Sequence, residues 1–387
     1  MKKLVAVAAA MLAGVAVFAT EITFTNKVFS DDAFIRHDDD ADDTDTDFPG
    51  LNERMQVELT SERVDAFVKA TIKLDDHNDK DYGVTGKVND WYIEFRPISM
   101  LALTMHEGIF TAGSYLPVWD DNMANGNISS DGFSLIVTPD ALDGALRIGV
   151  TAPFGWDGGN INWLDGDKDH NGIDEEFDVG VGVIFAHELF EVGATIKDVL
   201  DSDDGERSFG AYVSFPNLFG VVEGLTVGGG VSFGSDGADL GSGDYISIGG
   251  PCGIEAGVTG DTLLNFQVSY ETEPFALAAE LVYNLGEDGN AAAEWNGDGV
   301  YDFYTGASIS FGLLDNLSLA FTGKLLVDTS DKKDEGNVEI KNLLYGGVAL
   351  TFELDEKNSF GVGLDSAFYD KDWCFAVPVY WQYKFND

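Results

Sequence analysis

The last stretch of the chain, Asp372 to Asp387, alternates between apolar and polar positions with a period of two. Successive side chains of a β-strand point to opposite faces, so this pattern predicts a strand with one apolar face and one mixed face. The apolar face would carry Phe375, Val377, Val379, Trp381, Tyr383 and Phe385. Such an aromatic face must be covered by a protein core or by lipid.

The same alternation recurs along the chain and predicts about eighteen strands, with about sixteen as the nearest alternative. No stretch shows the 3.6-residue periodicity of a convincing helix. The predicted strands are 21–29, 54–60, 64–74, 88–96, 101–106, 133–137, 145–151, 177–186, 190–199, 208–215, 225–233, 264–271, 275–285, 301–311, 317–328, 339–352, 360–369 and 372–387. We therefore expect an all-β, antiparallel architecture.

The connections between the predicted strands alternate between short and long. Pro97 to Met100 and His187-Glu188 are short, whereas Gly108 to Asp131 and Gly234 to Thr262 are long. An aromatic residue precedes several short turns, as at Phe95, Phe215, Phe311 and Phe352. Membrane-spanning β-barrels have this rhythm of short turns at one end and long loops at the other.

The N-terminus has the pattern of a secretory signal peptide at positions 1–19. Lys2 and Lys3 provide the charged end, Leu4 to Val15 the apolar core, and Val17 and Ala19 the small residues of a cleavage site. The apolar core is too short for a membrane-spanning helix. We therefore expect a cleaved signal peptide and a barrel domain over residues 20–387.

Composition and charge narrow the class further. The formal net charge is −46, and loss of Lys2 and Lys3 would make the mature chain more acidic still. Such a charge disfavours a nucleic-acid partner, because phosphates would be repelled. The acidic residues gather in blocks such as His37 to Asp47 and Asp201 to Glu206, between the alternating segments. Long acidic external loops joining aromatic, glycine-rich strands are typical of an outer-membrane barrel.

With these features, the chain resembles the bacterial outer-membrane β-barrel porins. The general character of its strands and loops is similar to that of spirochaete porin-like proteins. Its last strand resembles the C-terminal strand of such barrels, with Phe385 followed by Asn386 and Asp387. The resemblance implies a transmembrane antiparallel barrel of 16–18 strands that passes small hydrophilic solutes and ions by passive diffusion. It also implies outer-membrane lipid and the outer-membrane assembly machinery as partners, and it leaves a homotrimer open.

The loop from Gly108 to Asp131 is long, yet its first half is apolar. The resemblance implies that this loop folds into the lumen, where Tyr115, Trp119, Asp120 and Asp121 would form a constriction. The Pro-Glu-Phe-Gly-Gly signature of general porins is missing, so the match is one of position and character. The alternative is a loop that caps the barrel from outside.

Alternation also identifies the side chains that would line the lumen. The predicted inward set on the first half of the chain mixes bases with one acid and one tyrosine, namely Arg54, Lys69, Lys73, Tyr92, Glu94, Arg96 and Arg147. Acidic loop residues facing such a basic wall would set an electric field across the pore, and rings of charge decide ion preference.

One acidic loop has the spacing of a calcium site. Calcium binds six to eight oxygen ligands, and a glycine permits the sharp turn between them. The candidate ligands are Asp167, Asp169, Asn171, Ile173, Glu175 and Asp178. Ile173 stands one place earlier than in EF-hand loops, and Asp178 replaces the final Glu. The alternative is a solvated acidic loop without metal.

The sequence shows few residues in arrangements that support catalysis. His106 is the histidine within a predicted strand, where a lone inward imidazole is more often a polar wall residue than a base. No nucleophile elbow is present, and the glycine-rich run at Gly228 to Ser235 is not followed by a helix, as phosphate binding would require. Cys252 and Cys374 could pair only if the fold brought them together. We expect no enzyme and no required cofactor.

The sequence therefore favours a porin, with two alternatives. A substrate-selective transporter or receptor barrel would be supported by an N-terminal plug, and none is visible before Glu21. A surface adhesin or structural β-protein would be extracted by salt without detergent.

Overall fold

The computed structural model describes the backbone of most predicted strands and of the short turns between them. The described residues are 21–30, 33–38, 43–46, 51–75, 83–105, 108–110, 128–130, 132–153, 155–157, 160–162, 180–196, 199, 208–234, 246–248, 254–256, 258, 262–285, 303–327, 342–369 and 372–384. The predicted signal peptide, Cys252 and both the constriction and calcium residues lie outside them.

The described chain is almost entirely β-structure. Its strands are β1 (Glu21–Ser30), β2 (Ala33–Asp38), β3 (Asp43–Thr46), β4 (Leu51–Thr60), β5 (Val64–Asp75), β6 (Gly83–Ile98), β7 (Leu101–Met105), β8 (Gly108–Phe110), β9 (Ile128–Ser130), β10 (Gly132–Val137), β11 (Leu146–Pro153), β12 (Gly155–Asp157), β13 (Asn160–Asn162), β14 (Gly180–His187), β15 (Phe190–Ile196), β16 (Ser208–Phe215), β17 (Leu225–Gly234), β18 (Ile246–Ile248), β19 (Ile254–Ala256), β20 (Thr262–Thr272), β21 (Phe275–Asn284), β22 (Phe303–Leu314), β23 (Leu317–Val327), β24 (Leu343–Glu353), β25 (Asn358–Tyr369) and β26 (Asp372–Lys384).

Among the described strands, eighteen form one closed antiparallel barrel. In wall order they are β1, β4, β5, β6, β7, β10, β11, β14, β15, β16, β17, β20, β21, β22, β23, β24, β25 and β26. Lys27 on β1 pairs with Lys384 on β26, so the first and last wall strands close the barrel. The pair β2–β3 extends the wall beside β26, and three small hairpins, β8–β9, β12–β13 and β18–β19, stand apart from it.

The predicted fold class is confirmed, and each of the eighteen predicted strands corresponds to a wall strand. The predicted 208–215 matches β16 at both ends. The largest differences lie at the long-loop end: β6 begins at Gly83 rather than at 88, and β24 begins at Leu343 rather than at 339. Acidic and polar residues interrupt the apolar–polar alternation at this end, so the sequence pattern does not mark where a strand begins. Hydrogen bonding to the neighbouring strand decides where it begins.

Short connections gather at one end of the barrel. Residues 61–63, 99–100, 188–189, 273–274, 315–316 and 354–357 are tight turns, and longer ones, 138–145 and 216–224, hold a single helical turn each, at Asp140–Leu142 and Asn217–Gly220. Within the described part of the chain, no helix is long and apolar enough to cross a membrane. The expected alternation of short and long connections is therefore present, except that only two residues separate β25 from β26 at the other end.

The outer face of the wall is apolar and exposed. Large side chains on this face, 37–51% exposed, are Phe24, Phe95, Leu103, Phe233, Phe266, Phe321, Leu344, Leu364, Phe368 and Trp381. On β26, Trp373 and Trp381 share the exposed face, whereas Cys374 and Ala376 point inward and are buried. The last strand thus has the two faces that its sequence predicts. An apolar band of this extent on a closed barrel suits contact with lipid.

Tyrosine rings on the inner face pack against glycines of the neighbouring strand. The Tyr380 ring occupies the space that a side chain at Gly361 would need, and its hydroxyl donates to Thr351 Oγ1 at 2.6 Å. Tyr212 covers Gly193 in the same way and donates to Glu191 Oε1 at 2.7 Å. Aromatic cover of strand glycines helps to hold register in β-barrels.

The turn at 354–357 is organised by one carboxylate. Asp355 accepts the backbone N–H groups of Lys357 and Asn358, both at 2.8 Å, and the Asn358 amide. The backbone hydrogen bond from Lys357 contributes most to lowering the pKa of Asp355 below its ordinary value, because hydrogen bonds to a carboxylate favour its charged form. The turn therefore stays capped at any pH above the lowered pKa and loses its cap as pH falls through it.

We expect Gly361→Val to destabilise the barrel by about 1–3 kcal/mol, because the Tyr380 ring cannot move aside without losing its hydrogen bond to Thr351. The measurement is denaturant unfolding in lipid vesicles, with the folded fraction read from mobility on an unboiled gel. Gly346→Val is the matched control, because Gly346 faces outward with no atom within 4 Å of an added Cβ. Equal stabilities of the two variants would contradict the role given to the ring.

Candidate functional site

The inner face of the wall is the candidate functional surface. It carries polar and charged side chains at the positions that alternate with the exposed apolar ones. Many of them hydrogen-bond to each other across neighbouring strands, and charged side chains like these would be costly on a face that meets lipid. The described inner face thus has the chemistry of a surface that meets water or solute.

A basic arc lies on β1, β4 and β5. Lys27 on β1 is the register partner of Arg54 on β4, and Arg54 is in turn the partner of Thr71 on β5. Lys69 lies two residues before Thr71 and therefore on the same face of β5. All three alternate with outward residues such as Phe24 and therefore belong to the inner face. Of the predicted wall residues, Arg54 and Lys69 come together here, and the side chain of Lys73 lies outside the described ones.

The predicted residues of β6 form a cluster near the short-turn end. Arg96 forms ion pairs with Asp65 and with Glu94, the latter at 2.6 Å between Nε and Oε1. Its Nη1 also donates to the carbonyl of Ser61 at 3.4 Å. Arg96 is therefore held against the wall, beside the turn at residues 61–63. Tyr92 stacks on Phe67, with ring centroids 5.6 Å apart.

Arg147 lies apart from these residues, on β11. The register continues from Arg147 through Ile184 and Gly193 to Tyr212, along one row of the inner face. The guanidinium acts electrostatically on the Tyr212 hydroxyl, which is bound to Glu191. The predicted wall residues thus occupy three separate places on the inner face: the basic arc, the β6 cluster and the Arg147 row.

An acid-bearing belt on β20 to β25 was missed at the level of sequence. Glu280, Lys324 and Tyr345 are register neighbours through Gly306, and Asp365 accepts a hydrogen bond from the Tyr345 hydroxyl at 2.8 Å. The Lys324 ammonium lies 5.6 Å from the centre of the Tyr345 ring and is attracted by both Asp365 and Glu280. Their inward positions could have been found from the same alternation that identified Arg147.

Glu280 is the most enclosed member of this belt. It is 2% exposed, and its Oε1 accepts the side-chain amide of Asn265 at 2.6 Å. Buried carboxylates need hydrogen bonds and a compensating charge, which Asn265 and Lys324 provide here. One row nearer the long loops, the inner face turns apolar and fully buried at Val282, Tyr304, Leu326 and Leu343.

The basic arc and the acid-bearing belt occupy different groups of wall strands. A single strand, β26, lies between Lys27 on β1 and Asp365 on β25, whereas β1 and β26 to β22 lie between Arg54 on β4 and Glu280 on β21. Charged groups that line a pore decide which ions pass. Chemically, the arrangement can orient and discriminate charged solutes.

Tyr115, Trp119, Asp120 and Asp121 of the predicted constriction loop lie outside the described residues. The two ends of the loop are described, as the hairpin β8–β9. Cα atoms of this hairpin lie within 8 Å of β10, β11 and β14, which follow β7 in the wall. The described ends of the loop therefore lie against the wall strands that follow β7.

The six predicted calcium residues, Asp167 to Asp178, also lie outside the described part of the chain. Within the described part, no group of three or more His, Cys, Asp and Glu side chains is arranged to hold a metal ion. Cys374 is buried on the inner face of β26.

Comparison with known proteins gives similarity of fold. No protein-family model matches the sequence, and no curated protein sequence matches it. Among solved structures, Acinetobacter baumannii OccAB4 is 10% identical with a TM-score of 0.56 over 95% of this chain and 98% of its own. Pseudomonas aeruginosa OpdK, in a structure with vanillate, is 13% identical with a TM-score of 0.56 over 95% and 99%. Pseudomonas aeruginosa OpdL is 11% identical, with a TM-score of 0.55 over 94% and 99%.

These structures are outer-membrane porins of the Occ and Opd groups. At such low identity the likeness extends to the fold alone, and it does so over nearly the full length of both chains. The chain therefore has the eighteen-stranded barrel fold that these porins share.

Proposed function

We propose that this protein is an outer-membrane porin that passes small hydrophilic solutes and ions by diffusion. The observation that carries the proposal is the pairing of an exposed apolar outer face with a charged, hydrogen-bonded inner face on one closed barrel. The fold shared with Occ and Opd porins supports it. The role is passive, with no catalytic step and no required cofactor.

The inner wall would act as an ion filter in this proposal. Solutes would pass between the basic arc of Lys27, Arg54 and Lys69 and the belt that holds Glu280 and Asp365, with Tyr92, Glu94, Arg96 and Arg147 lining the wall nearer the short turns. The proposed constriction places Tyr115, Trp119, Asp120 and Asp121 at the narrowest point. The position of the β8–β9 hairpin against β11 and β14 supports a loop that leans over the lumen.

The same proposal covers location and partners. A signal peptide at residues 1–19 would direct export, and the barrel would then be inserted in the outer membrane by the assembly machinery of that membrane. The short turns would face the periplasm and the acidic loops the exterior. The proposal includes a similarity to spirochaete-type porins. It also includes assembly as a homotrimer.

A substrate-selective channel is the second candidate. The observation that favours it is the OpdK structure with vanillate, which shares this fold. Block of the ion current by a solute at micromolar level would distinguish a selective channel from a general one. An adhesin is less well supported, because an adhesin has no need of an exposed apolar band around a closed barrel.

Purified protein added to a planar lipid bilayer should give discrete conductance steps, because a charged inner wall stabilises water and ions in the lumen. The control is the same preparation after boiling, which unfolds the barrel. Insertion without current steps, shown by protection from protease in vesicles, would overturn the porin proposal.

The pore should show a mild preference for cations, and the double variant Asp120→Asn with Asp121→Asn should reduce it. The acidic loops concentrate cations at the mouth, and these two carboxylates would do so at the narrowest point. The measurement is the reversal potential across a salt gradient. A matched control removes the same charge from an exposed short turn, by Asp140→Asn with Asp143→Asn. Equal shifts in both double variants would contradict the constriction.

Millimolar calcium should raise the melting temperature and protease resistance if Asp167, Asp169, Asn171, Glu175 and Asp178 bind the ion together with the carbonyl of Ile173. A ligand that binds the folded state stabilises it by mass action. The variant Asp167→Asn with Asp169→Asn should lose the effect, and magnesium is the control ion. Unchanged stability of the wild type with calcium would identify a solvated acidic loop.

A further inference from the structure

The outer face of the barrel has an open hollow among its described strands. It lies where β16, β17 and β20 run side by side, and it has a volume of about 530 Å³. The glycine run at Gly228 to Gly230 supplies its floor, because Gly229 faces outward between Val213 and Phe266. We name it the Gly229 groove; its outward lining is Ala211, Val213, Phe215, Val227, Gly229, Val231, Leu264 and Phe266.

The groove is apolar and bounded by aromatic side chains. Phe266 is 50% exposed and forms one wall. At the long-loop end Phe209 and Phe233 stack with centroids 4.7 Å apart, and at the short-turn end Phe215 and Phe219 meet at 4.5 Å. A ligand in the groove would therefore be a hydrocarbon, held along the strand between two aromatic pairs.

The groove fits within one leaflet of a membrane. Its lining on β16 runs from Ala211 to Phe215, over which the strand advances about 14 Å at the usual rise per residue. A strand tilt of about 40° reduces this to about 10 Å along the membrane normal. One leaflet is half of the hydrocarbon thickness of a bilayer, which is about 30 Å. The groove starts at the short-turn end, which the proposed function assigns to the periplasmic leaflet.

We propose that the Gly229 groove binds one acyl chain of a phospholipid from the periplasmic leaflet. A second copy of the barrel fits less well, because the exposed Phe266 side chain projects beside the glycine floor and would hold a flat partner away from it. A flexible chain can follow the floor and regain the dispersion contacts that a void would lose. The proposal rests on the proposed function for the membrane setting.

Native mass spectrometry in mild detergent tests the proposal, with palmitoyl-oleoyl phosphatidylethanolamine as the added lipid. The wild type should retain one lipid at low concentration. Ala211→Leu fills the groove and should weaken that binding about tenfold, which is a free-energy change of about 1.4 kcal/mol. Ala307→Leu is the matched control, because Ala307 is an exposed outer-face alanine on β22, two strands from β20 and outside the lining of the groove.

Phe266→Ala is the second variant, because it removes a wall of the groove without adding bulk that could impair folding. It should also weaken binding of the lipid. The proposal is overturned if both variants bind lipid as the wild type does, or if Ala307→Leu weakens binding equally. It is also overturned if filling the groove converts an oligomer to a monomer in light scattering and leaves lipid binding unchanged.

The outcomes for the groove and for the pore are separable. Current steps with no retained lipid would leave the porin proposal standing and remove the lipid site. One retained lipid with no current steps would do the reverse, because the groove lies outside the lumen.

Discussion

Closure of the hydrogen-bond ladder is the constraint on which the rest of this structure depends. In a lipid environment no water is available to satisfy backbone N–H and C=O groups, so an open sheet edge is very costly. Pairing of Lys27 on the first wall strand with Lys384 on the last removes that edge. Every wall strand then has two neighbours, and the chain can present apolar side chains outward while its backbone groups pair with those of the neighbouring strands.

Closure also divides the side chains into two environments. Positions facing outward meet a uniform apolar surrounding, so bulk and apolarity suffice, as at Phe321 and Phe368. Positions facing inward must satisfy one another across strands, and they do so in specific groups. Tyr380 lies over Gly361 and bonds to Thr351, and Glu280 is held between Asn265 and Lys324. The inner face therefore carries the detailed geometry, and the outer face carries the stability in lipid.

Glycines act differently on the two faces. On the inner face, Gly193 and Gly361 make room for tyrosine rings that hold neighbouring strands in register. On the outer face, Gly229 leaves a hollow among large apolar side chains, and nothing from the described protein fills it. One residue type thus supports both the internal packing of the wall and the proposed contact with lipid.

The sequence by itself determined the all-β class, a wall of sixteen to eighteen strands and the outward face of β26, because a period of two is a local property of the backbone. It also identified the inward positions of Arg96 and Arg147 by counting along a single strand. Only the tertiary structure decided which inward residues meet. The belt of Glu280, Lys324, Tyr345 and Asp365 joins residues of four strands, and their contacts depend on the register between strands. Register is a relation between distant segments, set by closure of the whole barrel, and alternation within one strand cannot specify it.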